Sequence, residues 1–134
     1  MDTKKVYVIP CSGIGKATAS AGREATYRIV EDLLPETCDT LCLSLLTMKN
    51  EEAVGKVREN LVVAIDGCAK DCARKNVEAS GKTPDISRRI QDFMKEHRGL
   101  KPETVLDIGE GGRKLAEIVA EELSGEIEDL LEEE

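Results

Sequence analysis

The stretch LVVAIDGCAKDCARK, Leu61–Lys75, decides the fold. It opens on a continuous apolar run, Leu61–Ile65, which suits a parallel strand covered on both faces. Asp66 and Gly67 are turn formers. Ala69 to Ser80 then reads as a helix closed by Gly81. Strand, turn and helix make half of a βαβ unit. Two cysteines, Cys68 and Cys72, stand at its junction.

The same alternation extends outward in both directions. KVYVI, Lys5–Ile9, reads as the first strand. The loop PCSGIGKATAS follows, with Pro10, Gly13 and Gly15. A helix from Lys16 to Leu34 carries the apolar stripe Ala25, Ile29, Val30, Leu33 and Leu34, and Pro35 stops it. TLCLSLL, Thr40–Leu46, reads as the second strand. Asn50, Glu51 and Glu52 form a cap and an acidic first turn for a helix reaching Asn60. Asp85 is expected to cap a further helix with Ile86, Ile90, Phe93 and Met94 on one side, ended by Gly99 and Pro102. TVLDI, Thr104–Ile108, reads as the last strand, GEGGRK as a loop, and Leu115–Leu131 as the final helix. The expected fold is a single three-layer α/β domain over residues 1–125, with a mostly parallel sheet of about four strands. Residues 126–134, ending in three glutamates, place negative charge at a helix C-terminus and are expected to fray as an acidic tail.

Composition narrows the function. At 134 residues with 40% hydrophobic and 34% charged residues, the chain suits one soluble domain with a real core. Its net charge of −8 argues against binding a phosphate backbone. One Phe, two Tyr and no Trp leave little for stacking bases. Nothing approaches a membrane span of about 20 apolar residues, and the N-terminal apolar segment is too short for a signal peptide. The expectation is a cytoplasmic protein with no nucleic-acid or membrane partner. In a reducing compartment its five cysteines are buried, metal-bound or reactive rather than disulfide-paired.

In an open α/β sheet ligands gather outside the carboxyl ends of the strands. Cys11 lies just past the first strand and Cys68 just past the strongest one, so both belong to that edge. If Cys68 opens a helix, it and Cys72 project from one face with Cβ atoms about 5–6 Å apart. That is too far for a disulfide, which needs about 3.5–4.5 Å. It suits a shared metal, because bonds of about 2.3 Å to zinc set tetrahedral sulfurs somewhat under 4 Å apart. Lys70 and Lys75 add positive charge. Two small buried residues are the plainer alternative. CSGIGKATAS fails the Walker pattern at Pro10 and Ala17 and the dinucleotide fingerprint at Thr18, leaving a generic anion at that helix N-terminus. His97, the only histidine, reads as a surface residue, and Asp66 as a turn residue.

Three motifs in order, CSGIG after the first strand, CLSLL in the middle and IDGCAKDCARK after the third, resemble the DGC-domain family of prokaryotes. The resemblance spans roughly residues 5–125. The family takes its name from an Asp-Gly-Cys motif and is described as a candidate zinc-binding family of unknown biochemical role. Many relatives carry proline after the motif cysteine, where this chain has Ala69. The resemblance implies a zinc ion, Zn²⁺, held by Cys11, Cys42, Cys68 and Cys72. Cys38 lies four residues before Cys42, and spacing alone does not choose between them. A thiol enzyme for redox or sulfur transfer, using Cys11 with Cys68 or Cys72, is the alternative, and a structural-metal module binding a protein partner a third. No substrate is named by the sequence.

Overall fold

The computed structural model describes residues 5–11, 16–67 and 70–133. Four parallel strands form one sheet in the order β2-β1-β3-β4: β1 Val6–Pro10, β2 Cys38–Thr40, β3 Leu61–Asp66 and β4 Ile86–Arg89. Among the described residues, six α-helices surround it: α1 Ala17–Tyr27, α2 Leu43–Thr47, α3 Glu51–Glu59, α4 Cys72–Ala79, α5 Ile90–Glu96 and α6 Gly109–Glu133. The fold is the expected single α/β domain with a parallel sheet.

Alternation along the strands builds both cores. Val6, Val8, Leu61, Val63 and Ile65 face α1, α5 and α6, meeting Ala25, Ile90, Leu115, Val119 and Leu123. Tyr7, Ile9, Val62 and Ala64 face the other way and pack with Leu43, Leu46, Val57, Ala73 and Val77 of α2, α3 and α4. Every residue of β3 is buried, which is why its run is apolar without alternation. Helix α1 widens after Tyr27 into a π-helical segment, Arg28–Leu33. Its Leu34 N–H reaches back to the Ile29 carbonyl at 2.8 Å before Pro35 ends it. Asn50 caps α3 as expected, its side chain accepting from the Ala53 N–H at 3.0 Å.

Five local expectations are corrected. Helix α4 starts at Cys72, after Asp71 in the left-handed region, rather than at Ala69. The second strand is Cys38–Thr40, in register with Val6–Val8, rather than Thr40–Leu46. The Thr40 hydroxyl donates to the Val8 carbonyl at 2.7 Å. The chain then turns, so that Leu43 and Leu46 are buried from a helix. Ile86–Arg89 is a strand, not a helix start. Asp85 exchanges hydrogen bonds with the Val62 backbone, donating its N–H at 2.8 Å and accepting on its carboxylate at 2.9 Å, so it pins β4 to β3 instead of capping a helix.

TVLDI is not a strand. Thr104 and Asp107 close a turn, with the Thr104 N–H on the Asp107 carbonyl at 2.9 Å, and Leu106 is fully exposed. GEGGRK is the start of α6 rather than a loop. A Cβ on Gly112 would lie 2.6 Å from Ile108 and 2.9 Å from Pro102, so the glycine lets the preceding loop cross close over the helix. At its far end α6 runs to Glu133, with Ile127 buried and Leu130 and Leu131 packed on the core.

Candidate metal centre

Chain path explains why the cysteines share one edge. From β1 the chain passes through α1 to β2 on one side. From β3 it passes through α4 to β4 on the other, and these two helices cover opposite faces. The neighbours β1 and β3 therefore flank the topological switch point, where an open α/β sheet leaves a crevice outside its carboxyl ends. Cys11 follows the last residue of β1, Cys42 lies two residues past β2, and Cys72 opens α4. Cys68 lies outside the described residues, as does most of the loop between Cys11 and Lys16.

Cys11 is buried beside the end of β3. Its N–H donates to the Ile65 carbonyl at 2.9 Å. Its Sγ accepts the Gly67 N–H at 3.3 Å. Cys11 and Cys42 line one cleft of about 280 Å³, together with Pro10, Arg23, Tyr27 and Leu41. Cys42 is exposed, and its Sγ lies 2.8 Å from the Ser44 hydroxyl. That hydrogen bond, with the Ser44 backbone amide beside it, holds the thiol below its ordinary pKa. Cys72 is exposed at the first position of α4. Among the described residues, the sulfurs of Cys11, Cys42 and Cys72 do not all lie within 4.8 Å of one another. Cys38 has a different address. It is 3% exposed in the core between sheet and helices, and burial raises its thiol pKa to about 11.

Asp66 does more than turn the chain. Its carboxylate is 1% exposed and accepts the Ala73 N–H at 2.7 Å and the Arg74 N–H at 3.1 Å. These are first-turn amides with no partner inside the helix. Asp66 thus caps α4 from the end of β3 and fixes where Cys72 starts. Burial raises its pKa, and the two amides oppose that rise. Gly67 is equally constrained. A Cβ there would lie 2.9 Å from the Thr18 hydroxyl and 3.0 Å from the Ala19 nitrogen, so only glycine lets this loop rest on the first turn of α1.

Asp71, just before α4, sits in the left-handed region at φ 52°, which aspartate tolerates better than most residues. It is buried and receives Arg89 through two hydrogen bonds of 2.7 and 2.5 Å. Arg74 adds a contact at 3.1 Å. The Arg89 hydrogen bonds hold its carboxyl below the usual range and raise the guanidinium in turn. The sequence reading missed the cap and this pair. Asp66 carried a signal, since a carboxylate ahead of a helix start can serve its free amides. Arg89 carried none while β4 was read as helix.

A doubly wound parallel α/β domain with cysteines at its switch point is the class of protein that fold and site define. Residues 7–122 match the DGC domain, and the chain belongs to that family. No curated protein and no solved structure matches it. The motif's first two residues now have physical roles here: Asp66 caps α4, and Gly67 admits α1 while binding the Cys11 sulfur.

Proposed function

We propose that this protein binds one zinc ion through Cys11, Cys42, Cys68 and Cys72. The observation that carries the reading is the shared cleft of Cys11 and Cys42 at the carboxyl ends of β1 and β2, with Gly67, the residue joined to Cys68, bonded to the Cys11 sulfur. The donor set fits. Thiolates are soft ligands that favour zinc, and bound zinc would supply a closed tetrahedral link among the loops. The Ser44 hydroxyl favours the thiolate of Cys42, the Gly67 amide donates to the Cys11 sulfur, and Cys72 stands at the N-terminus of α4. Lys16 and Lys70, near Cys11 and Cys68 in the sequence, would offset part of the negative charge of such a site. The sheet and its two cores precede the metal, so the scaffold does not depend on it, unlike small zinc fingers. A site of four thiolates suits a reducing compartment such as the cytoplasm. Its net charge of −8 disfavours nucleic-acid partners.

A second reading, a thiol enzyme for redox or sulfur transfer using Cys11 with Cys68 or Cys72, draws on the exposure of Cys72. One experiment separates the two. Protein purified under reducing conditions is assayed for metal, then for thiol labelling before and after chelation. The zinc reading expects about one zinc per chain and four thiols released together by chelator. It also expects loss of hydrogen-exchange protection confined to the loops after β1 and β3. Metal-free protein that takes up no zinc, with fast labelling of two thiols, sinks it in favour of the enzyme. Among the described residues no helix is long and apolar enough to cross a membrane.

A further inference from the structure

We infer a second metal site, unrelated to the cysteines, formed by Glu96, His97 and Glu122. Each offers one ligand atom, and these atoms all lie within 4.8 Å of one another. Helix α5 begins at the carboxyl end of β4 and runs back along the sheet for about 10 Å. The cluster therefore lies away from the cysteine edge. Glu96 ends α5, His97 follows it, and Glu122 comes from α6.

The backbone around the imidazole is held from both sides. The His97 N–H donates to the Phe93 carbonyl at 2.9 Å, and its carbonyl accepts from Leu100 at 3.1 Å. Phe93 and Leu123, beside the ligating positions, are buried in the core, so the two helices cannot slide apart. Ligands of one ion at bonds of about 2.0–2.2 Å sit roughly 3–3.6 Å from each other. The exposed glutamate side chains close the remaining gap by rotation, with no movement of the helices.

One imidazole and two carboxylates make a harder donor set than four thiolates. Such a set takes manganese, cobalt or zinc, whereas thiolates disfavour manganese. The ion would cross-link the end of α5 to α6 and leave positions open to water. On both readings the chain carries two metal sites of different chemical preference, one at the carboxyl edge of the sheet and one between α5 and α6.

Manganese(II) is the discriminating probe, added to the full chain. His97 is the only histidine, so its ring carbon–proton signal reports on this place alone. That signal should broaden at substoichiometric manganese. A doubly substituted E96Q/E122Q chain should need roughly tenfold more metal or beyond, since even lost outer-shell partners cost that much. His97→Gln should lower manganese affinity to a similar degree, read from the paramagnetic resonance of free ion. The two glutamates are exposed and His97 is half-buried, so thermal melting of E96Q/E122Q without metal should not change. An unbroadened histidine signal overturns the site. So does an unchanged manganese requirement in E96Q/E122Q, or unchanged free ion in His97→Gln.

Discussion

Two pairs of cysteines stand four residues apart, Cys38 with Cys42 spanning the junction at the end of β2 and Cys68 with Cys72 in the junction after β3. Their surroundings treat the two pairs differently. After β2 the chain leaves the sheet between the cysteines, so Cys38 stays in the core and Cys42 emerges beside Cys11. After β3 the buried carboxylate of Asp66, a glycine pressed on α1 and the ion pair of buried Asp71 with Arg89 hold the connection. Equal spacing therefore carries no equal meaning. What sorts the thiols is where the strand ends and how many contacts fix the backbone beyond it.

The largest contrast lies within the first junction. Cys42 is exposed with a lowered pKa, and Cys38 is buried with its pKa raised to about 11. In chelated, native protein Cys42 should alkylate faster than Cys38 by roughly a thousandfold or more, the scale set by the unfolded fraction through which a core thiol reacts. Mass mapping of single labels measures it. Because the folded pKa of Cys38 is raised, its neutral form supports the fold fully below the ordinary value of 9.0. That support is lost as pH rises toward about 11. Comparable labelling rates at neutral pH would erase the contrast and return Cys38 as a candidate ligand. Replacing Cys38 by Ala should cost stability and leave metal uptake intact.

Gly67 tests the tightness of the second junction. Gly67→Ala drives a methyl against the Thr18 hydroxyl and the Ala19 nitrogen, at 2.9 and 3.0 Å. Relieving that needs a shift of α1, and the expected loss is about 1–3 kcal/mol in denaturant unfolding. Gly55 in α3 is the control. Nothing lies within 4 Å of its Cβ position, so Gly55→Ala should stabilise by about 0.5–1 kcal/mol. A neutral Gly67→Ala would show that the junction yields.

How much of this was legible follows from what each segment touches. β3 declared itself because both its faces are covered, and β1 because of its β-branched run. β4, with the sequence ISRR, is a sheet edge in which only Ile86 is buried. Ile86, Ile90 and Phe93 happen to repeat at helical spacing and masked it. TVLDI has strand-like residues but no neighbour to pair with, and propensity without a partner makes no sheet. The carboxyl-edge location of Cys11 follows from strand order alone. The exposure of Cys42 required knowing that the chain bends at Leu41. The meeting of His97 with Glu122 required knowing that α5 lies on α6.

The two carboxylates of the second junction should respond to pH with opposite sign. Arg89 holds Asp71 below its ordinary value. Its contribution is present above the ordinary carboxylate range and lost as pH falls through the lower folded value. Burial raises Asp66, so its contribution is complete at low pH and declines as pH rises through the raised value. Stability measured against pH for Asp71→Asn and Asp66→Asn tests this. The advantage of the wild type over Asp71→Asn should grow with rising pH, and its advantage over Asp66→Asn should shrink. Parallel curves would mean that the junction titrates as one unit and the roles given to the two residues are wrong.

The smallest effect is expected back at the first junction, from Ser44→Ala. Ser44 is exposed and its hydroxyl meets Cys42 at 2.8 Å. Little packing is lost on its removal, so stability should move by no more than about 0.5 kcal/mol. The thiol should nonetheless change. The hydroxyl is the first cause of the lowered Cys42 pKa, so the pH profile of Cys42 alkylation should shift upward while that of Cys72 stays put. With zinc bound, the shift should vanish, because a metal-held thiolate no longer titrates in that range. A profile that moves equally with and without zinc would leave Cys42 outside the metal site. The zinc ion would then lose one of its four expected ligands, and the first junction would hold no metal.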